Sequence, residues 1–73
     1  MKITYSETDD AAYIYLVEAK PGVAARTEPC EIAGLRGEIN LDFDKNGRLV
    51  GIEVLGASKV LPKEILDRAE RLS

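Results

Sequence analysis

Between positions 38 and 55 apolar and polar residues alternate. Ile39, Leu41 and Phe43 lead into Asn46-Gly47, and Val50, Ile52 and Val54 lead out of it. A period of two marks a strand with one buried face. Asn-Gly suits a two-residue type I′ turn, whose central residues both need positive φ. That turn pairs Lys45 with Arg48, Phe43 with Val50, Leu41 with Ile52 and Ile39 with Val54, so the apolar pairs share one face. The other face carries Asn40 against Glu53 and Asp42 against Gly51. A four-residue loop keeps these faces. A three-residue loop sets Glu53 against Ile39, and the pattern speaks against it.

The rest of the chain extends this sheet. Residues 2–5 read as a short strand, and Glu7-Thr8-Asp9-Asp10 as a turn rich in side chains that bond their own backbone. Residues 11–17 (Ala-Ala-Tyr-Ile-Tyr-Leu-Val) form a second strand, apolar on both faces. Such a strand belongs in the middle of a sheet, or turns one face to a partner. Lys20-Pro21-Gly22 is a break. Residues 23–32 form a third strand that Pro29 interrupts or ends, and a strand with proline belongs at an edge. Beyond Gly56-Ala57-Ser58-Lys59, Leu61, Ile65, Leu66, Ala69 and Leu72 recur at helical spacing. Pro62 suits the first turn of that helix, and Glu64 with Arg68 and Asp67 with Arg71 make favourable pairs. The expected architecture is a single α+β domain over residues 1–73. An antiparallel meander of four or five strands fills about 2–56, with one C-terminal helix, about 62–72, packed on the sheet.

The hairpin segment also satisfies a second pattern. Asp42, Asp44, Asn46, Gly47 and Glu53 fit the calcium-loop spacing D-x-[DN]-x-[DN]-G-x5-E, with Leu49 at the apolar position. An EF-hand needs a helix on each side. Pro29, Gly34 and Gly37 upstream and Val54-Leu55-Gly56 downstream oppose one, so the hairpin is preferred.

The composition narrows the function. With 13 acidic and 10 basic side chains the chain carries −3, the wrong sign for a non-specific nucleic-acid binder. The longest apolar run is too short to span a bilayer, and the start lacks the pattern of a signal peptide. A single cysteine, Cys30, forbids an internal disulfide and fits a reduced, cytoplasmic setting. There is no histidine, no metal-ligand cluster beyond the turn and no phosphate-binding glycine loop, so no catalysis and no cofactor are expected. Asp9 and Asp10 read as solvated, and Ser58-Lys59 as a simple strand exit.

Three segments carry a family likeness: Met1-Lys2-Ile3-Thr4-Tyr5, the stretch from Asp10 to Leu16, and the run from Asn40 to Lys59. Together they resemble the domain of unknown function 2283, a family of small, mostly prokaryotic proteins. The resemblance covers the chain to about Lys59 and leaves the last helix largely outside it. It implies a free-standing cytoplasmic protein, carries no activity across, and further implies an antitoxin-like or accessory role.

The expected function is a non-catalytic protein–protein interaction module, with a protein partner or a second copy as a homodimer, and no nucleic acid or membrane. Tyrosine is enriched at interfaces, and Tyr13 and Tyr15 share a strand face that Tyr5 is expected to join, so these three are the candidate contact residues. The alternative is a small-ligand or calcium-binding domain that uses Asp42, Asp44, Asn46 and Glu53.

Overall fold

The computed structural model describes residues 1–72 of the chain. Its strands are β1 (Lys2–Ser6), β2 (Ala11–Tyr15), β3 (Arg26–Cys30), β4 (Glu38–Phe43), β5 (Leu49–Leu55) and β6 (Glu70–Arg71). Two short helices, α1 (Ala57–Val60) and α2 (Lys63–Arg68), lie between β5 and β6. The fold is α+β, as the pattern predicts.

The β4–β5 hairpin keeps the expected faces. Ile39 lies opposite Val54, Leu41 opposite Ile52, Asn40 opposite Glu53 and Asp42 opposite Gly51. The turn itself differs from expectation. Asn46 does not take positive φ, whereas Gly47 does, at 80°. Gly47 N–H donates to the carbonyl of Asp44, and Asp44 N–H donates to that of Arg48. The loop therefore has three residues, closed by Asp44 opposite Arg48. The one-residue slip this causes is absorbed by a bulge: Phe43 pairs with Leu49, not Val50, and the register is restored at Asp42 and Gly51. Asp44 fixes the turn by accepting the N–H groups of Asn46 and Arg48 on one carboxylate oxygen, at 2.9 and 3.0 Å.

The sheet order is β3-β4-β5-β2-β1-β6, so the strands do not form a meander. β2 and β3 follow one another in sequence but are separated by β4 and β5, and β2 to β5 form a Greek key. The reason lies in side-chain pairing. Against β5, Ala12 meets Val54 and Ile14 meets Ile52. On that same face β3 presents Arg26, Glu28 and Cys30, which match β2 poorly. β3 takes the edge, as Pro29 predicts, and β2 lies inside the sheet. The loop of residues 16–25 spans the gap, held by Leu16 N–H to the Val50 carbonyl and Ala25 N–H to that of Phe43.

The C-terminal segment is the larger correction. Pro62 caps the start of α2, as expected, but a separate short helix, α1, precedes it, and α2 stops at Arg68, four residues before the expected end at 72. After Ala69 the chain is extended, and β6 pairs in parallel with β1, with Thr4 beside Glu70 and Tyr5 beside Arg71. This sixth strand makes the sheet mixed. Leu72, expected on the helix, is exposed, and its N–H bonds the Tyr5 carbonyl. Of the expected charge pairs, α2 forms Lys63 to Asp67 instead, and Arg71 pairs with Glu7 and stacks over the Tyr5 ring.

The core is small. Tyr5, Ala12, Val54, Ala57, Leu66 and Ala69 are buried, with Ile3, Ile52, Val60 and Leu61 packed against them. A clasp closes it from the side. Asp10, at φ 49°, accepts the Tyr5 hydroxyl at 2.7 Å and the Ser58 N–H at 2.9 Å on Oδ1. Its Oδ2 accepts the Ser58 hydroxyl at 2.8 Å, and its carbonyl accepts the Ala57 N–H at 2.9 Å. One carboxylate thus ties the first hairpin to the start of α1, where the orphan N–H groups of a helix need acceptors. Asp10 is therefore not the solvated turn residue expected from sequence, and Ser58 is more than a strand exit.

Two predictions follow from these contacts. Gly47→Val should destabilise the protein by about 1–2 kcal/mol in denaturant unfolding, since a β-branched residue resists positive φ. Unchanged stability would refute the turn geometry. The Tyr5 hydroxyl, then the Ser58 hydroxyl and N–H, hold the Asp10 carboxyl below its ordinary range. A folded-state value below the unfolded one gives stability that is present above about pH 4 and lost as the pH falls through the folded value. Asp10→Ala should lower the melting temperature at pH 7 by about 5–10 °C and flatten the acid limb of its pH dependence. Part of that limb should survive, because the Arg48 N–H and then the Asn46 N–H lower Asp44 in the same direction.

Candidate interaction surfaces

The two faces of the sheet differ in chemistry because cross-strand partners share a face and neighbours along a strand do not. Thr4 pairs with Tyr13 and Lys2 with Tyr15. Tyr13 lies opposite Glu53 and Tyr15 opposite Gly51. This face, free of helices, is polar and aromatic. The Tyr13 and Tyr15 ring centroids are 4.6 Å apart at 52°, and the Lys2 ammonium lies 5.6 Å from the Tyr15 ring. Tyr13 reaches across Gly51 to donate its hydroxyl to Asp42 on β4. A Cβ on Gly51 would lie 2.1 Å from that hydroxyl oxygen, so only glycine leaves the path open. Thr27 donates to the other Asp42 oxygen, and Asn40 to Glu53 at 3.0 Å. Burial, reinforced by the Asp42 bond, pushes the Tyr13 phenol above its ordinary range.

Tyr5 does not join this pair. It lies opposite Ala12, one residue beyond Thr4, and therefore points to the other face, where it is buried in the core. Tyr13 and Tyr15 remain half-buried. A groove of about 320 Å³ runs beside them, walled by Val17, Val23, Ala24 and Val50. That volume is at the low end for a small-molecule site. Of the two tyrosine hydroxyls beside it, that of Tyr13 is already committed to Asp42.

The four candidate calcium ligands do not converge. Asp44 closes the turn, with Arg48 at 3.7 Å from its second oxygen. Asp42 accepts from Tyr13 and Thr27, Glu53 accepts from Asn40, and the Asn46 side chain lies on the exposed turn. Among the described residues no group of three His, Cys, Asp or Glu is placed to hold a metal ion.

The opposite face carries the core, but the helices cover only one end of it. Six residues of α2 make a rod about 9 Å long, against a molecule measuring 32 × 29 × 18 Å. The row Tyr5–Ala12–Val54 lies under the helices. The next row, Ile3–Ile14–Ile52–Leu41, crosses four strands and is apolar throughout, yet each member is only half-buried. Beyond it Phe43 pairs with Leu49, and Leu49 is 37% exposed. The alternation of β2 and β1 carries Leu16, 38% exposed, and Met1, 91% exposed, to the same side. Arg26 and Glu28 rim this patch on β3, 3.2 Å apart, with Arg26 over the Phe43 ring.

These residues were missed as a site. Their apolar pairing is readable in the sequence, but an unbroken helix over 62–72 was expected to cover them. Pro62 marks the start of α2 correctly, whereas its early end at Arg68 carries no sequence signal, because Ala69 and Leu72 keep helical spacing.

The family described as "Protein of unknown function (DUF2283)" matches residues 2–58. The chain belongs to this family. The DUF2283 match takes in β1 to β5 and ends at Ser58, so both partners of the Asp10–Ser58 clasp fall within it, whereas α2 and β6 lie outside. No curated protein matches the chain, and neither does any solved structure. Among the described residues no helix is long and apolar enough to cross a membrane.

The calcium pattern has a direct test. Addition of about 1 mM calcium should leave the melting temperature unchanged. A rise that saturates with concentration and vanishes in Asp42→Ala would restore the ion-binding alternative.

Proposed function

We propose that this protein is a non-catalytic protein–protein interaction module whose contact surface is the uncovered part of the helix-side sheet face. The observation that carries the reading is the apolar row Ile3–Ile14–Ile52–Leu41, left half-exposed together with Leu16 and Leu49. Contiguous exposed apolar surface rimmed by charge is the physical mark of a contact site. The tyrosine face supports the reading less well, because Tyr13, Asp42, Thr27, Asn40 and Glu53 on it already bond one another. A cytoplasmic setting and an antitoxin-like or accessory role are compatible with such a module, and the absence of histidine from the chain supports a non-catalytic one.

Capture on tagged protein from a host lysate tests this, with two variants as controls. Wild type should retain a stoichiometric protein that Leu49→Glu loses. Tyr15→Ala, on the opposite face, should retain it. Loss with Tyr15→Ala and not with Leu49→Glu would move the contact to the tyrosine face and sink the proposal. Leu49 is exposed enough for its charge variant to fold, which circular dichroism checks.

A further inference from the structure

The occupant of the apolar face can be narrowed, taking the interaction-module reading as given. We propose that it is a second copy of this chain, packed face to face as a two-fold β-sandwich.

The first argument is area. A compact monomer of 8.0 kDa exposes about 4,450 Å², whereas this chain exposes 5095 Å². The excess, about 650 Å², approaches the roughly 800 Å² each partner contributes to a standard interface. The deficit in burial is visible in the core itself, where Val54 is the only large side chain less than 2% exposed among the described residues.

The second argument is self-complementarity. The patch consists of two rows, Glu28–Leu41–Ile52–Ile14–Ile3 and Arg26–Phe43–Leu49, and alternation past the ends of β2 and β1 adds Leu16 and Met1 on the same side. A two-fold axis that crosses the strands midway between these rows exchanges them. Leu41 then meets Phe43 of the second copy, and Ile52 meets its Leu49. At the rim Arg26 meets Glu28 of the second copy, and Glu28 meets its Arg26. A contact of this kind is isologous and closes on itself. The helices stand over the Ala12–Val54 row, at one end of each sheet. The same axis places the two sets at opposite ends of the pair, outside the space between the sheets. Sheets packed in this way lie about 10 Å apart with nearly aligned strands.

Light scattering coupled to size exclusion reads the outcome. Wild type should elute at about 16 kDa, twice the chain mass, and Leu49→Glu and Leu16→Asp should elute as folded monomers. The rim supplies a sharper test. Arg26→Glu and Glu28→Arg should each raise the dimer dissociation constant about tenfold, by setting like charges across the interface. An equimolar mixture of the two should recover dimer, because the axis pairs position 26 of one copy with position 28 of the other. Wild type that stays at about 8 kDa up to about 100 µM would overturn self-association, while the Leu49→Glu capture decides separately whether the face binds another protein. A dimer that survives Leu49→Glu, or rim variants that fail to complement, would overturn the proposed packing.

Discussion

Ile14 opposite Ile52 and Ala12 opposite Val54 join the N-terminal hairpin to the later strands, and the other features of the fold depend on that seam. It makes β2 internal and forces the chain between β2 and β3 across the ends of β4 and β5, leaving β3 as an edge. It also sets Tyr15 opposite Gly51 and Tyr13 one step along, so that the Tyr13 ring can cross the glycine to Asp42. The hydrogen-bonded polar layer on one face and the apolar rows on the other are therefore two consequences of one register. A slip of β2 by a single residue would turn Ile14 outward and both tyrosines inward.

The clasp at Asp10 shows how a small domain compensates for a thin core. Three of the six clustered core residues are alanines, which bury little apolar area. Asp10 places two side-chain and two backbone donors on one residue, and these hold α1 against the sheet where packing alone is weak. Most of α2 is exposed, with Leu66 its buried residue, so helix and sheet meet over one row only. The uncovered rows follow from helix length and not from a gap in the hydrophobic pattern.

Much of this architecture is legible in the sequence because it depends on short-range alternation. Ile39, Leu41, Ile52 and Val54 fix the faces of the central hairpin whatever the turn, and Pro29 marks its strand as an edge. The turn type is not legible, since Asn-Gly serves a two-residue type I′ turn and a three-residue loop with glycine at positive φ equally well. The bulge that reconciles the longer loop with the register leaves no pattern of its own. The strand order is hidden for another reason: β2 and β3 are sequence neighbours, and only the mismatch of Arg26 and Glu28 with Ala12 and Ile14 sends them apart. The end of the chain misleads most. Leu61, Ile65, Ala69 and Leu72 keep helical spacing, but Ala69 is extended and Leu72 is held by the Tyr5 carbonyl, because β1 offers a free edge to a chain that has just left α2. For the site, Tyr13 and Tyr15 were found on one face. Tyr5 was misplaced because its preceding neighbour Thr4, and not Tyr5 itself, is the residue opposite Tyr13.

Neither edge of the sheet is open to pairing. An open sheet invites pairing wherever a row of backbone groups is unpaired. On β3, Pro29 removes one donor, and the strand is otherwise lined by charged and polar side chains. On the other side β6 is two residues long, and Glu70 and Arg71 are drawn to Lys2 and Glu7. Neither edge offers a long, flat template. On the tyrosine face Tyr13, Asp42, Thr27, Asn40 and Glu53 are already hydrogen-bonded to one another, and burying them would add little to those bonds. The rows from Met1 to Leu41 are different, because their side chains are apolar and gain only by leaving water. With both edges blunted and one face satisfied, the remaining apolar face is where burial has most to gain.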